Sequence, residues 1–264
     1  MKLSEPLGRI DQNESVRQSL LPYCRLKQGD VWIDEVSGHR VSVGDATKGS
    51  DVSHLFYKSP HAKLAIQDPP YNIIVGNENT EQLFSYTIER YLEFSYNWVK
   101  NMLDHLDKDS NLYIWLGADQ KDHFQPLPEF MLMMRQFTAV KSRSLITMRN
   151  QRGYGTQKNW MSIRQECLYY TIGNPVFNIE AEYTDIPKIL KGYYKKINGE
   201  LLDNTERSKS DTIRAGNVWV DIQQVFYRLA ENVPGCYAQK PLRAIERIVV
   251  AGSEKGDTIM DLFS

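Results

Sequence analysis

Apolar positions recur along this chain in two rhythms, short unbroken runs and helical spacings, and they take turns. Leu64-Ala65-Ile66 is an unbroken run, so Lys63–Gln67 is predicted to be a buried strand. Val31-Trp32-Ile33 and His39–Val43 predict two strands around a turn at Ser37-Gly38, and a helix is expected after Gly44-Asp45, through Leu55. Between residues 79 and 106, Leu83, Tyr86, Ile88, Tyr91, Leu92, Tyr96, Val99, Met102 and Leu103 recur at near-helical spacing and predict one long amphipathic helix. Asp107–Ser110 reads as a turn and Asn111–Leu116 as a second buried strand. A helix over Pro128–Arg135 and strands over Val140–Met148 and Gln165–Thr171 follow. Residues 216–222 read as a strand or turn. Pro241 sits at the first turn of a predicted helix, Leu242–Ala251, and a last strand is expected over Thr258–Leu262. Two stretches break the rhythm. Residues 1–30 are polar, with a short helix around Glu14–Leu21, and residues 178–215 read as a helical or irregular insertion. Strands alternating with helices predict an α/β fold, its sheet mainly parallel and covered by helices.

Composition narrows the class. The chain has 264 residues, 41% hydrophobic and 25% charged, which suits one large soluble α/β domain or two small ones. No apolar run is long enough to cross a bilayer, and Met1–Asp11 lacks a signal-peptide core, so no membrane partner is expected. Cys24, Cys167 and Cys236 are too few and too far apart for a disulfide framework or a metal site, which suggests a reducing cytoplasm. The five histidines form no ligand-spaced pair, so no metal is expected. The net charge of −1 argues against nucleic-acid binding by bulk charge alone. A local exception runs from Lys141 to Arg164. It holds Arg149, Arg152, Lys158 and Arg164, has no Asp or Glu, and is interleaved with Tyr154 and Trp160. A flexible basic loop of this kind suits phosphate contacts and base wedging, and a solvated surface loop is the alternative.

The sharpest chemical feature is Asp68-Pro69-Pro70-Tyr71, which closes the Lys63–Gln67 strand. Ligands of open α/β sheets bind at the carboxyl ends of strands. The prolines fix φ and carry no N–H, leaving carbonyl oxygens as the backbone polar groups. Acceptors beside an aromatic ring suit a planar group bearing an NH2, such as a nucleobase. The same four residues are also ordinary turn chemistry.

Several segments together resemble one family, the β-class amino-methyltransferases of DNA, over roughly residues 41–264. Asp68–Tyr71 resembles the family's D-P-P-Y motif, and Gly44-Asp45 a short motif preceding it. Gln165-Glu166-Cys167-Leu168-Tyr169-Tyr170 resembles its H-E-x-I-x-x-F strand, and Asn217-Val218-Trp219 its N-V-W step. Gln239-Lys240-Pro241, Ile245–Ile248, Gly256-Asp257 and Met260-Asp261-Leu262-Phe263 follow in the order of the cofactor-side block. Cys236 and Ala238 depart from the usual H-x-T-Q-K-P.

The resemblance implies a Rossmann-like methyltransferase sheet with helices on both faces and circularly ordered motifs. It implies an N-terminal extension over residues 1–40, a methyltransferase domain over 41–264 and a DNA-recognition insertion around 141–215. It also implies S-adenosylmethionine as cofactor, held by Asp45, Lys240, Asp261 and Phe263. The substrate would be double-stranded DNA, held by Arg149, Arg152, Lys158 and Arg164. Asp68, Pro69, Pro70 and Tyr71 would then methylate a flipped adenine at N6, in a restriction–modification setting. A subunit that keeps the fold and binds nucleic acid without catalysis is the alternative. The family continues past D-x-F into a glycine-rich turn, whereas this sequence stops at Ser264. The sheet is therefore expected to be incomplete at the C-terminus, either because the polypeptide is truncated or because a homodimer or partner chain completes it, and the chain alone is expected to bind the cofactor poorly and to methylate poorly or not at all.

Overall fold

A computed structural model describes residues 18, 26–71, 87–117, 126–154, 160, 162–178, 183–188, 194–203, 211–225, 229–233 and 239–264. Its centre is a six-stranded sheet. In chain order the strands are β3 (Ala62–Gln67), β4 (Leu106–Leu116), β5 (Val140–Tyr154), β6 (Ser162–Ile172), β11 (Val218–Trp219) and β12 (Ile259–Met260). They lie in the spatial order β11-β5-β6-β4-β3-β12. Three neighbouring pairs are parallel, and the two that involve β6 are antiparallel. Five strands thus run one way and β6 alone runs against them. Among the described residues β12 forms one edge of the sheet, pairing with β3 through Ile259 and Met260.

Among the described residues the sheet is accompanied by α1 (Gly49–Leu55), α2 (Ile88–Leu103), α3 (Pro126–Met134) and α4 (Leu242–Gly252). Side-chain alternation along β4 sends Leu112, Ile114 and Leu116 to one face and Tyr113 and Trp115 to the other. The first face meets Tyr91, Trp98, Val99 and Met102 of α2 and Phe130 and Met133 of α3. The second meets Ala244 and Ile248 of α4, with Trp219 and Ile222. Burial on both faces is why the strands read as continuous apolar runs.

The structure redraws several sequence boundaries. The long helix starts at Ile88, because Thr87 is extended and caps it, and residues 79–86 lie outside the described residues. Asp107–Ser110 is strand rather than turn. The Asp107 carboxylate pairs with Lys63 at 2.9 Å, and Asp109 accepts from the backbone N–H of Asn174, so these acids tie the start of β4 to its neighbours in the sheet. The basic stretch is not a flexible loop over most of its length, since β5 runs to Tyr154 and β6 starts at Ser162. The predicted helical or irregular insertion contains no helix among its described residues. It holds β7 (Tyr183–Pro187), β8 (Tyr194–Ile197), β9 (Glu200–Asp203) and β10 (Thr212–Arg214), in two small antiparallel sheets. The β8–β9 turn is Asn198-Gly199, both at positive φ, the pairing a tight hairpin demands. Near the N-terminus, β1 (Val31–Ile33) and β2 (Arg40–Ser42) pair as the sequence predicts. The short helix expected at 14–21 lies outside the described residues except for Gln18, which is helical.

Candidate active site

Because five strands share a direction, their carboxyl ends meet at one rim. Asp68 follows β3, Asp261 follows β12, Arg149 lies in the far half of β5, and Asp221 follows β11. Antiparallel β6 brings its beginning, Arg164 and Glu166, to the same rim. Lys240 arrives there just before α4. Residues far apart in sequence are gathered at the edge where ligands of such sheets bind.

Asp68 is the hub. Its Oδ1 accepts a 2.7 Å hydrogen bond from the Tyr71 hydroxyl, and its Oδ2 pairs with Lys240 Nζ at 2.7 Å. The Lys240 side chain is 7% exposed and that of Asp68 28%, so the cation lies on the protein side and the carboxylate faces outward. Lys240 Nζ also sits 5.2 Å from the Tyr71 ring centre and 5.6 Å from that of Trp115, which is fully buried. An ionised carboxylate offers about four lone-pair positions, so two partners leave acceptor capacity on the open side. Burial, and then the Asp68 charge, push the Tyr71 hydroxyl well above its usual range, which keeps it a donor. Pro69 is buried, and the Pro70 carbonyl accepts from the Tyr91 hydroxyl at 3.0 Å, so α2 props the motif from below.

Asp261 and Asp45 meet at a neighbouring cavity of about 100 Å³ that Gly44, Ala46, Asp51 and Leu262 also line. It adjoins a larger groove of about 730 Å³, with which it shares Arg40, Leu55, Asp261 and Ser264. Asp45 closes its own turn, accepting at Oδ1 from the backbone N–H and the hydroxyl of Thr47, as a turn former does. Asp261 Oδ1 accepts from the Phe263 N–H at 2.9 Å. The Asp261 carboxyl is pushed up to about 6, first by crowding protein atoms that displace water, although one side stays open to solvent. The Phe263 N–H opposes the shift and the Asp68 charge adds to it. Phe263 packs edge-on against Trp98 at 5.2 Å, so its ring leans on the core of α2.

Arg149 and Arg164 are directly opposite each other across β5 and β6, and both are exposed. Arg164 Nε reaches the buried Glu166 carboxylate at 3.2 Å, and Thr147 donates to the other oxygen of Glu166 at 2.7 Å. Arg152 lies in the same strand, while Lys158, Cys236 and Ala238 lie outside the described residues. Among the described residues, no group of three or more His, Cys, Asp or Glu could hold a metal, and no helix is long and apolar enough to cross a membrane.

The sequence suggests Lys240 as a cofactor contact, and the structure shows it paired with Asp68. Sequence reasoning missed Gln67, Tyr91 and Trp115, whose roles are set by long-range contacts. It also missed the buried pair Arg247–Asp221, at 2.6 Å, which ties α4 to the chain after β11.

Comparison with known proteins gives a consistent family. The DNA methylase family profile, of the N6/N4 type, matches residues 62–264. The Type II methyltransferase M.HpaI of Haemophilus parainfluenzae is 25% identical over 200 residues, which span 76% of this chain and 56% of that protein. The DNA adenine methyltransferase YhdJ of Escherichia coli (strain K12) is 25% identical over 210 residues, 76% of this chain and 64% of that protein. The chain therefore spans less than two thirds of the length of either relative. Among solved structures, PvuII DNA methyltransferase (cytosine-N4-specific) superposes with a TM-score of 0.54 at 11% identity. That match covers 83% of this chain and 72% of the other, a likeness of fold.

Proposed function

The chain belongs to the DNA methylase family, and from that membership we propose that it transfers a methyl group from S-adenosylmethionine to N6 of adenine in double-stranded DNA. The observation that carries the reading is the pairing of two carboxylates on adjacent strand ends, Asp68 after β3 and Asp261 after β12.

The residues fit the methyl donor, which departs from the sequence expectation that the chain alone binds it poorly. Asp45, Asp51 and Asp261 line the cavity and would favour a cationic group, and Arg40 beside them suits its carboxylate. Cavity and groove together reach the size of ordinary small-molecule sites. Bound there, S-adenosylmethionine supplies a methyl group on a positively charged sulfur, activated for in-line attack.

The chain's own part is placement of the amine. The lone pair of N6 is delocalised into the adenine ring and is a weak nucleophile. Asp68, through its outward lone pairs, accepts one N6 hydrogen, and the Pro69 carbonyl accepts the other. Both bonds favour a pyramidal nitrogen with a localised pair. The Tyr71 ring stacks on the flipped base, replacing part of the duplex stacking given up on flipping, about 1–3 kcal/mol. Tyr71 and Lys240 hold the carboxylate still from behind, so acceptor geometry is set before the base arrives. With the N6–CH3 bond formed and the S–CH3 bond broken, leaving a neutral thioether, the N–H is acidic and its proton passes to Asp68 or water.

Adenine over cytosine is favoured by the carboxylate at position 68, where N4-cytosine enzymes of this family more often have Ser, and the adenine specificity in the name of the Escherichia coli relative supports it. Arg149 and Arg164, exposed and opposite each other on β5 and β6 with Arg164 held by Glu166, would present positive charge to a polyanion lying across them. Residues 141–215 are the proposed recognition segment and the cytoplasm the proposed compartment. The test is incubation with isotopically labelled S-adenosylmethionine and duplex DNA, followed by nucleoside analysis. N6-methyladenine is expected. N4-methylcytosine would overturn the choice of base, and no transferred label would overturn the activity.

A further inference from the structure

Gln67, the last residue of β3, is fully buried and hydrogen-bonds at both ends of its amide. Its Nε2 donates to the Met260 carbonyl at 3.1 Å, and its Oε1 accepts from the Leu262 N–H at 3.1 Å. These two backbone groups flank Asp261. The β3–β12 ladder ends at Met260, and the Gln67 side chain carries the pairing past that end. Asp68 is the next residue along the chain. One planar amide therefore links the carboxylate proposed for the amine to the segment proposed for the methyl donor.

We propose that Gln67 is a positioning residue that sets the separation between methyl-donor and methyl-acceptor sites, an inference that rests on the methyl-transfer reading above. A backbone pair continued past Met260 could hold the segment only along the ladder. An amide reads a carbonyl and an N–H at once, fixing both the distance and the twist of residues 260–263. It does so without a charge, which matters because Asp68 and Asp261 already repel each other nearby. A hydrocarbon at position 67 would leave a carbonyl and an N–H unpaired in a buried place.

The test exploits the donor–acceptor order. In Gln67→Glu, a protonated carboxyl reproduces the amide, with O–H donating to Met260 and C=O accepting from Leu262. An ionised carboxylate would turn an oxygen on the Met260 carbonyl and break the bridge. Burial raises the pKa of such a carboxyl, bringing the switch toward the neutral range. The titratable groups of the surrounding site are Asp68 and Tyr71 on the same segment, Asp261 after β12, Lys240 paired with Asp68, Glu166 and Cys167 of β6, and Tyr91 of α2, which bonds the Pro70 carbonyl. All are present in the unmutated chain, whose profile measured in parallel subtracts them.

Affinity for S-adenosylmethionine is measured by calorimetry from about pH 5.5 to about pH 8.5. The expected result is that Gln67→Glu binds within about twofold of the unmutated chain at the acid end and roughly tenfold more weakly at the alkaline end. Gln67→Leu is expected to bind weakly throughout. Unaltered affinity of Gln67→Glu at the alkaline end, or of Gln67→Leu at any pH, overturns the inference. Weak binding by Gln67→Glu at both ends overturns it too, because the protonated form has the same bonding pattern as the amide. Failure of the unmutated chain to bind overturns the functional reading, and this inference with it.

Discussion

Replacing Asp221 by Ala is expected to cost more stability than most changes in this chain. Arg247 and Asp221 face each other with side chains 3% and 6% exposed, joined by Nη2–Oδ2 at 2.6 Å and Nη1–Oδ1 at 3.2 Å. Removing Asp221 takes this carboxylate from a guanidinium sealed from water, and breaking such a buried pair costs about 3–5 kcal/mol. The pair is covered by close neighbours but is not deep in the protein, so the lower figure applies, about 3 kcal/mol. For a chain of this size that corresponds to a fall in Tm of roughly 6–12 °C. Replacing both at once, Asp221→Leu with Arg247→Met, removes the buried charges together and is expected to be near neutral. The pH dependence has a definite sign. Burial works to raise the Asp221 pKa, but the Arg247 hydrogen bonds and charge prevail and hold it below the ordinary carboxylate range. The stabilisation is present above the unfolded-state value of about 4 and is lost as pH falls through the lower folded value. The assay is chemical unfolding of the parent, both single variants and the double variant, at neutral pH and in acid. Asp221→Ala within about 1 kcal/mol of the parent at neutral pH, by any two-state fit, would show that the buried pair does not stabilise the fold in this way; so would a difference that persists unchanged in strong acid.

Two further outcomes follow from the site. Asp261 titrates near 6, above its unfolded value, so its ionisation opposes folding as pH rises from about 4 to 6. Asp261→Asn should therefore raise Tm at neutral pH but not in acid, while weakening S-adenosylmethionine binding in calorimetry; unchanged affinity would remove Asp261 from the cofactor site. Replacing Arg149, Arg152 and Lys158 with Ala should weaken DNA binding and flatten its salt dependence, by a slope of about 0.9 for each phosphate no longer neutralised. An unchanged slope of log affinity against log salt would make this hairpin a solvated surface.

Much of this architecture is legible in the sequence because its signals are local. The β3 run before Asp68, the Pro241 start of α4 and the β1–β2 turn each declare themselves within a few residues. Other local signals mislead because a stronger neighbour masks them or a distant partner redirects them. Asn198-Gly199 is a strong hairpin signal, yet the charges around it suggest an irregular or helical excursion. Asp107 and Asp109 look like turn formers, yet Lys63 and the Asn174 N–H give their carboxylates partners that only the folded sheet supplies. The site divides the same way. The Asp68 motif is visible as a string of residues. Its Lys240 partner lies 172 positions away, and Gln67 meets Leu262 across 195, separations that no periodicity reports.

Whether Asp68 at the carboxyl end of β3 accepts the amine to be methylated is decided by labelled methyl transfer to duplex DNA, with Asp68→Ala run beside the unmutated chain. Asp68 lies partly open at the strand end, but the change also takes a carboxylate partner from the 7%-exposed Lys240, so unfolding of the variant is measured alongside and Asp68→Asn, which keeps the side-chain shape, is run with it. N6-methyladenine is expected from the unmutated chain and a rate at least about a hundredfold lower from the variant, on the order of the loss seen when one preorganised transition-state contact is removed. Equal rates from the two proteins would rule out that role for Asp68.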